Sequence, residues 1–242
     1  MTLVCFALKE EAAPFRKIAA GNKGISILIV GIGCANAEKS VRSFLDDGAR
    51  TVAVCQDLAN REQLVAGPAR LAGTLAPPDL VLTCGFAGGL NPELKIGDVI
   101  FESGKQKAES RNLEERLLAA GAKPAKFACA DRIATTAAEK KKLREQTGVD
   151  AVEMESAAIQ AVCAERGIPC ATVRVISDTA HEDLPLDFNA LAKPDKSIDF
   201  KKLFFAIAKS PGKIGTLLAL QKKTTFAAGR LAVVLEKIIS EV

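Results

Sequence analysis

Two stretches of this chain combine a β-branched apolar run with acidic residues at its end, and they constrain the fold more than any other feature. One stretch spans Val149–Ile159 and the other, further along, spans Arg174–Asp178. Apolar runs of this length indicate buried strands. Ligands bind at the carboxyl ends of strands in an open α/β sheet, so we expect Glu153, Glu155 and Asp178 to project into one crevice. That arrangement predicts an active site.

Length and composition favour a single globular domain. The chain has 242 residues, of which 48% are hydrophobic and 26% charged, and this suits one well-buried α/β domain and excludes disorder as the main theme. No apolar run approaches the roughly 18 residues that a membrane-spanning helix needs. The start of the chain enters a strand without a cationic leader, so we expect a cytoplasmic protein.

The seven cysteines form no recognisable framework. Their number is odd, they are scattered along the chain, and no CxxC spacing occurs. Structural zinc sites and disulfide-rich folds show regular cysteine spacing. We therefore expect no metal, no disulfide framework and no cofactor.

Short apolar runs alternate with helical patterns along most of the chain, which predicts an α/β sheet. Gly31 and Gly33 permit a tight strand-to-helix turn with exposed amides, but the third glycine of a dinucleotide fingerprint is missing. A second turn is predicted at Gly85–Leu90, where the backbone could approach a ligand closely. The segment 51–76 is expected to be an insertion beside the main sheet. Strands are predicted at 3–8, 25–30, 80–85, 127–134 and 170–176, and a charged helix capped by Thr136 at 137–146.

The excess of positive charge is concentrated at the C-terminal end. From residue 197 onward eight basic residues face three acidic ones, an excess of +5 in a chain whose net charge is +4. A helical pattern places Lys223, Arg230 and Lys237 along one face and apolar residues along another. Such a segment favours an anionic partner, such as a membrane surface, or simply a solvated helix face. We therefore divide the chain into a catalytic domain, 1–196, and basic amphipathic helices, 197–242, that pack on it or extend it.

These features together carry a family resemblance. With the glycine turns, Glu11, the VEMES stretch (Val152–Ser156) and the VRVISD stretch (Val173–Asp178) at strand ends, the chain resembles the superfamily of purine nucleoside phosphorylases and methylthioadenosine/S-adenosylhomocysteine nucleosidases over residues 3–178. The resemblance implies a three-layer α/β/α sandwich with a central mixed sheet, extended by C-terminal helices.

The resemblance also implies an enzyme that cleaves the bond between a ribose and a purine. Positive charge builds on the sugar and negative charge on the base as that bond breaks, so an acid is needed at the base and anionic groups around the ribose. By resemblance Asp178, held by Ser177, protonates or hydrogen-bonds purine N7. Glu155 pairs with the ribose hydroxyls, and Met154 packs on the sugar face. Each acid has a structural alternative, since Asp178 could cap a helix and Glu155 could complement a helix dipole.

Glu11 and Arg174 match the superfamily residues that lie near the nucleophile. Glu11 would activate water, and Arg174 would hold water or phosphate. Alternatively, Glu11 complements a helix dipole and Arg174 is a buried partner of Glu11 or Glu153. Together with Arg174, backbone amides near Gly31 and Gly33 could form a pocket for phosphate or water.

Departures from the superfamily leave the nucleophile open. Phe86, after Gly85, replaces a small hydroxyl residue that helps to hold the nucleophile, and Thr83 stands where hexameric phosphorylases carry a phosphate-binding arginine. Ile133 replaces an aromatic residue that stacks on the purine, so it is expected either to form an apolar wall or to pack in the core. His181, the only histidine, could contact the 5′ side of a ligand but is more simply a loop residue.

The expected ligand is a small-molecule purine nucleoside and not a nucleic acid. Residues 130–140, 183–185, 210–214 and 217–220 resemble the hopanoid-associated phosphorylase branch. This match implies phosphorolytic cleavage of an adenine nucleoside with an apolar, adenosylhopane-like 5′ substituent, which would suit a membrane surface. The alternatives are a hydrolytic methylthioadenosine/S-adenosylhomocysteine nucleosidase and a non-catalytic purine-nucleoside binding protein. The resemblance also implies a homo-oligomer, either a dimer or a hexamer.

Overall fold

A computed structural model describes residues 1–47, 77–103, 108–193, 196 and 212–239 of the chain. The expected insertion at 51–76 and the start of the C-terminal segment lie outside these residues. The strands are β1 (Thr2–Phe6), β2 (Ile25–Ile29), β3 (Leu80–Gly89), β4 (Val99–Ser103), β5 (Lys123–Pro124), β6 (Phe127–Cys129), β7 (Ala151–Glu153) and β8 (Cys170–Asp178). The helices are α1 (Lys9–Ile18), α2 (Cys34–Asp47), α3 (Ala108–Ala119), α4 (Ala137–Thr147), α5 (Ser156–Glu165), α6 (Phe188–Leu191) and α7 (Lys213–Ile239).

The described strands form one mixed sheet with β3 and β8 at its centre. Its order is β2-β1-β3-β8-β4-β5, while β7 pairs with the end of β3 and β6 pairs with β7. Strands β2, β1, β3 and β8 run parallel, and β4 runs antiparallel to β8. The predicted central mixed sheet is therefore confirmed.

Helices cover both faces of the sheet because its strands are apolar on both sides. On β1, Val4 and Phe6 face a cluster that contains α1, α3 and α7. Leu3 and Cys5, which alternate with them, face a second cluster that contains α2 and α5. Successive side chains of a strand point to opposite faces of the sheet, so helices pack on both faces. This arrangement forms the predicted three layers.

Helix α7 is part of the main core. Its residues Ala227, Leu231, Leu235 and Ile238 are buried in the same cluster as the central strands. At full burial, large aliphatic side chains contribute about 1.5–3 kcal/mol each. The C-terminal half of α7 therefore stabilises the domain itself. Within the described part of the chain, no helix is long and apolar enough to cross a membrane.

Two predicted boundaries were wrong. The segment Gly85–Gly89 is not a turn but the second half of β3, since it pairs with β8 on one side and β7 on the other. The strand predicted at 127–134 ends at Cys129. Its continuation cannot join the ladder because the side-chain amide of Asn189 binds both the N–H and the C=O of Ile133, at 2.9 Å each.

The local signal at Thr136 gave the correct start of α4. Thr136 accepts a hydrogen bond from the N–H of Glu139, whose side chain reaches back to the Thr136 N–H, and the helix ends at Gly148 in the left-handed conformation, φ 67°. The predicted cap is confirmed. Helix α5 begins at Ser156, directly after the acidic stretch, so that stretch lies at a strand-to-helix junction.

Candidate active site

A buried arginine on the central strand β8 organises the acidic residues. Arg174 is only 1% exposed. Its Nη2 lies 2.5 Å from Glu153 Oε2 and 3.1 Å from Thr83 Oγ1, and its Nη1 lies 3.3 Å from Glu155 Oε2 and 3.3 Å from the Cys84 carbonyl oxygen. The guanidinium fork is well suited to holding two carboxylates at once. β8 and the β7–α5 junction thus meet at one buried ion cluster.

Glu11 approaches the same cluster from the start of α1. Its Oε1 accepts a hydrogen bond from the N–H of Phe86, and its Oε2 accepts one from the N–H of Leu8, both at 2.9 Å. Burial raises the pKa of Glu11 to about 7, against the opposing effects of the Phe86 N–H and the Arg174 charge. A carboxyl group with a pKa in this range is suited to exchanging a proton near neutral pH.

Gly85 allows Glu11 and Arg174 to lie close to each other. A Cβ built on Gly85 would lie 2.8 Å from Arg174 Nη1 and 2.8 Å from Glu11 Oε1, and the backbone there has φ +143°. Both the space and the conformation therefore require glycine.

Glu155 is anchored from two sides. Its Oε1 accepts a hydrogen bond from the Gly33 N–H at 2.9 Å, while its Oε2 faces Arg174. Burial raises the pKa of Glu155, and the Arg174 charge and the Gly33 N–H act in the opposite direction. The Gly33 amide, expected to bind phosphate or water, instead holds this carboxylate. Gly31, two residues earlier, has φ +82° and serves the turn into α2.

Glu153 has the contacts of a supporting residue. Besides Arg174, it accepts hydrogen bonds from Ser156 Oγ at 2.6 Å, from the Ser156 N–H at 2.8 Å and from the Glu155 N–H at 3.0 Å. Burial alone would raise the pKa of Glu153, but the Arg174 charge and these donors outweigh it and hold the pKa below its ordinary value. These contacts favour a role in positioning Arg174 over the contact with substrate that the sequence suggested.

Asp178 lies at the end of β8, in a separate polar group. Ser177 Oγ is 2.7 Å from Asp178 Oδ1 and 3.3 Å from the Ala87 carbonyl oxygen. The β3–β8 register shifts here, since Ala87 pairs with Ile176 and Gly88 with Asp178. Such a bulge changes the direction of side chains at a strand end. The four residues from Arg174 to Asp178 correspond to roughly 13 Å of extended strand, so the acids form two centres along β8.

A lysine that the sequence did not single out completes the second centre. Lys140 is 0% exposed, and its Nζ lies 2.5 Å from Asp178 Oδ2. The sequence gave only a weak signal, because Lys140 opens a run of three lysines in a strongly polar helix. Only its position on the helix face that points toward the sheet distinguishes Lys140 from Lys141 and Lys142.

The remaining predicted residues occupy the edges of these two centres. Met154 and Phe86 are half-buried, beside Glu155 and Glu11 respectively, and Ile133 is half-buried and fixed to α6 by Asn189. His181 is exposed. Among the residues that the structure covers, no group of three or more His, Cys, Asp or Glu side chains is arranged to hold a metal ion.

A cavity of about 240 Å³ opens beside Asp178. Its lining does not include Glu11, Glu155 or Arg174, so it borders only the second centre. The cavity is lined by Asp178, Glu182, Asp183, Leu184, Pro185, Thr216, Ala219, Leu220 and Lys223. Helix α7 therefore supplies one wall of the space next to Asp178.

Comparison with known proteins places the chain near one superfamily. The family model described as Phosphorylase superfamily matches residues 105–209. The 5′-methylthioadenosine/S-adenosylhomocysteine nucleosidase of Shewanella halifaxensis is 30% identical over 147 residues, which cover 46% of this chain and 62% of that protein. The aminodeoxyfutalosine nucleosidase of Campylobacter jejuni is 28% identical over 137 residues, covering 45% of this chain and 60% of that protein. The matched segments thus span less than two thirds of these relatives.

Solved structures show the same fold. The futalosine hydrolase of Helicobacter pylori superposes with a TM-score of 0.63 at 17% identity, covering 100% of this chain and 97% of that one. The 5′-methylthioadenosine/S-adenosylhomocysteine nucleosidase of Neisseria meningitidis, in complex with methylthio-immucillin-A, gives 0.62 at 18% identity, covering 100% and 99%. The fold is therefore that of the nucleoside phosphorylases and nucleosidases, and the predicted fold class is confirmed.

Proposed function

We propose that this protein hydrolyses the N-glycosidic bond of an adenine nucleoside. The observation that carries the proposal is the approach of Glu11 and Arg174 to each other across Gly85, with Glu155 on the same guanidinium and Asp178 further along the same strand. The similarity to nucleosidases supports the same reaction class.

Glu11 is the proposed general base. Because both of its oxygens accept backbone N–H bonds, the carboxylate is held in one orientation beside Arg174. Arg174 Nη1 and Glu11 Oε1 both lie 2.8 Å from the position of a Cβ on Gly85, so one water molecule can be held between them. A water held there would pass a proton to Glu11 as its oxygen bonds to C1′ of the ribose.

Glu155 and Asp178 are the proposed partners of the sugar and the base. As the C1′–N9 bond breaks, its electron pair passes to the purine, and N7 takes a proton from Asp178. Glu155 accepts hydrogen bonds from the ribose hydroxyls and supports the positive charge that develops on the sugar, with Met154 against the sugar face.

Water is favoured over phosphate by the charges around Arg174. The sequence pointed to phosphorolysis, but Arg174 is already paired with Glu153 and Glu155, and Glu11 lies beside it. Among the described residues, this centre has no uncompensated positive charge to offer a phosphate dianion. The Gly33 N–H is also occupied by Glu155. We therefore favour the hydrolytic alternative.

An apolar 5′ substituent is supported by the surface of α7. Ile214, Leu218, Phe226 and Val233 are exposed large apolar side chains, and Lys222, Arg230 and Lys237 are exposed on the same helix. An apolar and basic surface of this kind suits adsorption to an anionic membrane, where a lipid-linked, adenosylhopane-like nucleoside would be found. Alternatively, these apolar residues would be covered by homo-oligomerisation, as a dimer or hexamer. The molar mass in solution distinguishes an oligomer from a monomer that binds membranes.

A panel of adenosine derivatives tests the proposed reaction. Adenosine, 5′-methylthioadenosine, S-adenosylhomocysteine and a 5′-alkyl adenosine are incubated with and without phosphate, and the products are identified by mass spectrometry. We expect adenine and free ribose derivative at a rate independent of phosphate, and no turnover by Asp178→Asn. Binding of these nucleosides without any release of adenine would instead favour a non-catalytic binding protein.

A further inference from the structure

The environment of Lys140 calls for an explanation beyond the fold. Lys140 is the only buried residue of α4. Burying an ammonium group costs several kcal/mol unless it is paired and fully hydrogen-bonded. Its neighbours Lys141 and Lys142 are exposed, so the polar character of the helix does not require this burial.

The Lys140 ammonium contacts the last residue of β8 and the segment that follows it. It lies 2.8 Å from the Thr179 carbonyl oxygen, 2.9 Å from the Glu182 carbonyl oxygen and 2.5 Å from Asp178 Oδ2. The hydrogen bonds to the two carbonyl oxygens give Lys140 a structural role, because they hold the loop after β8. The third contact is different, because it directs the positive charge at the proposed acid.

Both oxygens of Asp178 therefore have a donor. Ser177 Oγ serves Oδ1 and Lys140 Nζ serves Oδ2. This fixes the plane of the carboxyl group, and it places a full positive charge where negative charge appears once Asp178 has given up a proton.

We propose that Lys140 is a positioning residue that acts through Asp178 on the leaving purine. This inference rests on the proposed function. As the C1′–N9 bond breaks and its electron pair moves to the base, N7 takes the proton from Asp178, and the carboxylate that remains is neutralised by the Lys140 ammonium. Proton delivery to the base is thereby favoured, while Lys140 itself keeps its protons and does not touch the substrate.

The test compares Lys140→Met, Lys140→Arg and the exposed control Lys142→Met on 5′-methylthioadenosine and its 2-fluoro analogue, whose base leaves more easily. General acid catalysis is worth about 100-fold or more. We expect Lys140→Met to lose about 100-fold in kcat on the parent with KM changed by less than about threefold, and clearly less on the 2-fluoro substrate. Lys140→Arg should recover most of the rate, and Lys142→Met should match the wild type.

Three results would overturn the inference. One is an unchanged kcat in a folded Lys140→Met protein, and another is an equal loss on both substrates, which would mark a structural role. If Lys140→Met fails to fold, Lys140→Gln takes its place on the same two substrates, and an equal loss on both again contradicts the proposal. A wild-type protein that releases the base from neither substrate would refute the proposed function and this inference with it, whereas an active wild type isolates the role of Lys140.

Discussion

Glu11 and Arg174 approach each other across the bare Cα of Gly85, with room for no side chain between them. Arg174 Nη1 and Glu11 Oε1 both lie 2.8 Å from the position that a Cβ on residue 85 would take. A base and a cation held at this spacing can bind one water molecule between them. The proposed nucleophile site is thus defined by a glycine in the middle of a strand, a position where glycine is normally unfavourable.

Gly85→Ala should therefore abolish activity and destabilise the fold. The new methyl group would push Glu11 and Arg174 apart, in a backbone conformation that is already strained for alanine. We expect a loss of about 3 kcal/mol or more in the free energy of unfolding. Gly121→Ala is the control, because Gly121 also has positive φ, +92°, but has open space around it. Equal losses in chemical denaturation would show that backbone strain alone accounts for the effect.

The pH dependence of catalysis should report Glu11. The base must be ionised to accept a proton from water, and its pKa is raised by burial to about 7. Hence kcat/KM should fall about tenfold per pH unit as the pH is lowered below 7 and level off above it. Glu11→Gln should lose about 100-fold or more in kcat/KM above pH 7, and its own profile should not fall as the pH is lowered. A wild-type profile that stays flat down to pH 5 would mean that a different group activates the nucleophile.

Glu153 should contribute strongly to the stability of the fold, although it is not proposed to contact the substrate. Glu153→Ala removes the shortest contact of the buried Arg174 guanidinium, and breaking a buried ion pair costs about 3–5 kcal/mol. The matched control is Glu165→Ala, which breaks the partly exposed pair with Arg42 and should cost less than about 1 kcal/mol. Urea denaturation of both variants measures the difference. Similar costs would contradict the supporting role assigned to Glu153.

The stabilisation by the Glu153–Arg174 pair should also depend on pH, because the pKa of Glu153 is lowered. The stabilisation is present above the ordinary carboxyl pKa of 4.5 and is lost as the pH falls through the lower pKa of the folded state. The stability gap between wild type and Glu153→Ala should therefore close on acidification below about pH 4.5. A gap that persists unchanged at pH 3 would contradict a charge-based contribution.

Variants of the C-terminal helix α7 should separate its role in core packing from a role in membrane binding. A chain that ends at residue 196 should not fold, because it lacks the buried side chains of α7. The exposed basic residues can be neutralised instead: Lys222→Gln, Arg230→Gln and Lys237→Gln together should weaken binding to phosphatidylserine vesicles by about 100-fold, at about 1 kcal/mol for each charge removed. Lys223 is left unchanged because it pairs with Glu182 at 2.6 Å. Vesicle binding that is equally weak in the wild type would exclude a membrane role.

Much of the fold follows from the sequence because its strands are continuous apolar runs. The alternation of such runs with helical patterns predicted the α/β sheet, and Thr136 predicted the start of α4. The wrong predictions occurred where the backbone hydrogen bonds are made with residues far away in the sequence. Gly85–Gly89 resembles a turn locally, yet β7 and β8 hold it as a strand. Ile133 resembles a strand residue, yet Asn189 takes both of its backbone groups.

The candidate site was only partly predictable for the same reason. Acids at strand ends indicated a crevice, but the sequence could not show that Arg174 would bind Glu153 and Glu155 at once, or that Gly33 would donate to Glu155. Lys140 escaped notice because one buried lysine among three consecutive ones has no local signature. Its role becomes visible only when α4 is packed against the segment after β8.

The most direct test of the central claim is the fate of oxygen during turnover. Wild-type protein is incubated with 5′-methylthioadenosine in phosphate buffer prepared in ¹⁸O-labelled water, and the sugar product is analysed by mass spectrometry. The account predicts adenine together with a 5′-methylthioribose that carries one ¹⁸O atom at C1′, measured at times short enough to limit exchange. A sugar 1-phosphate would contradict the hydrolytic mechanism, and unchanged substrate from this and every other adenosine derivative tested would contradict the account as a whole.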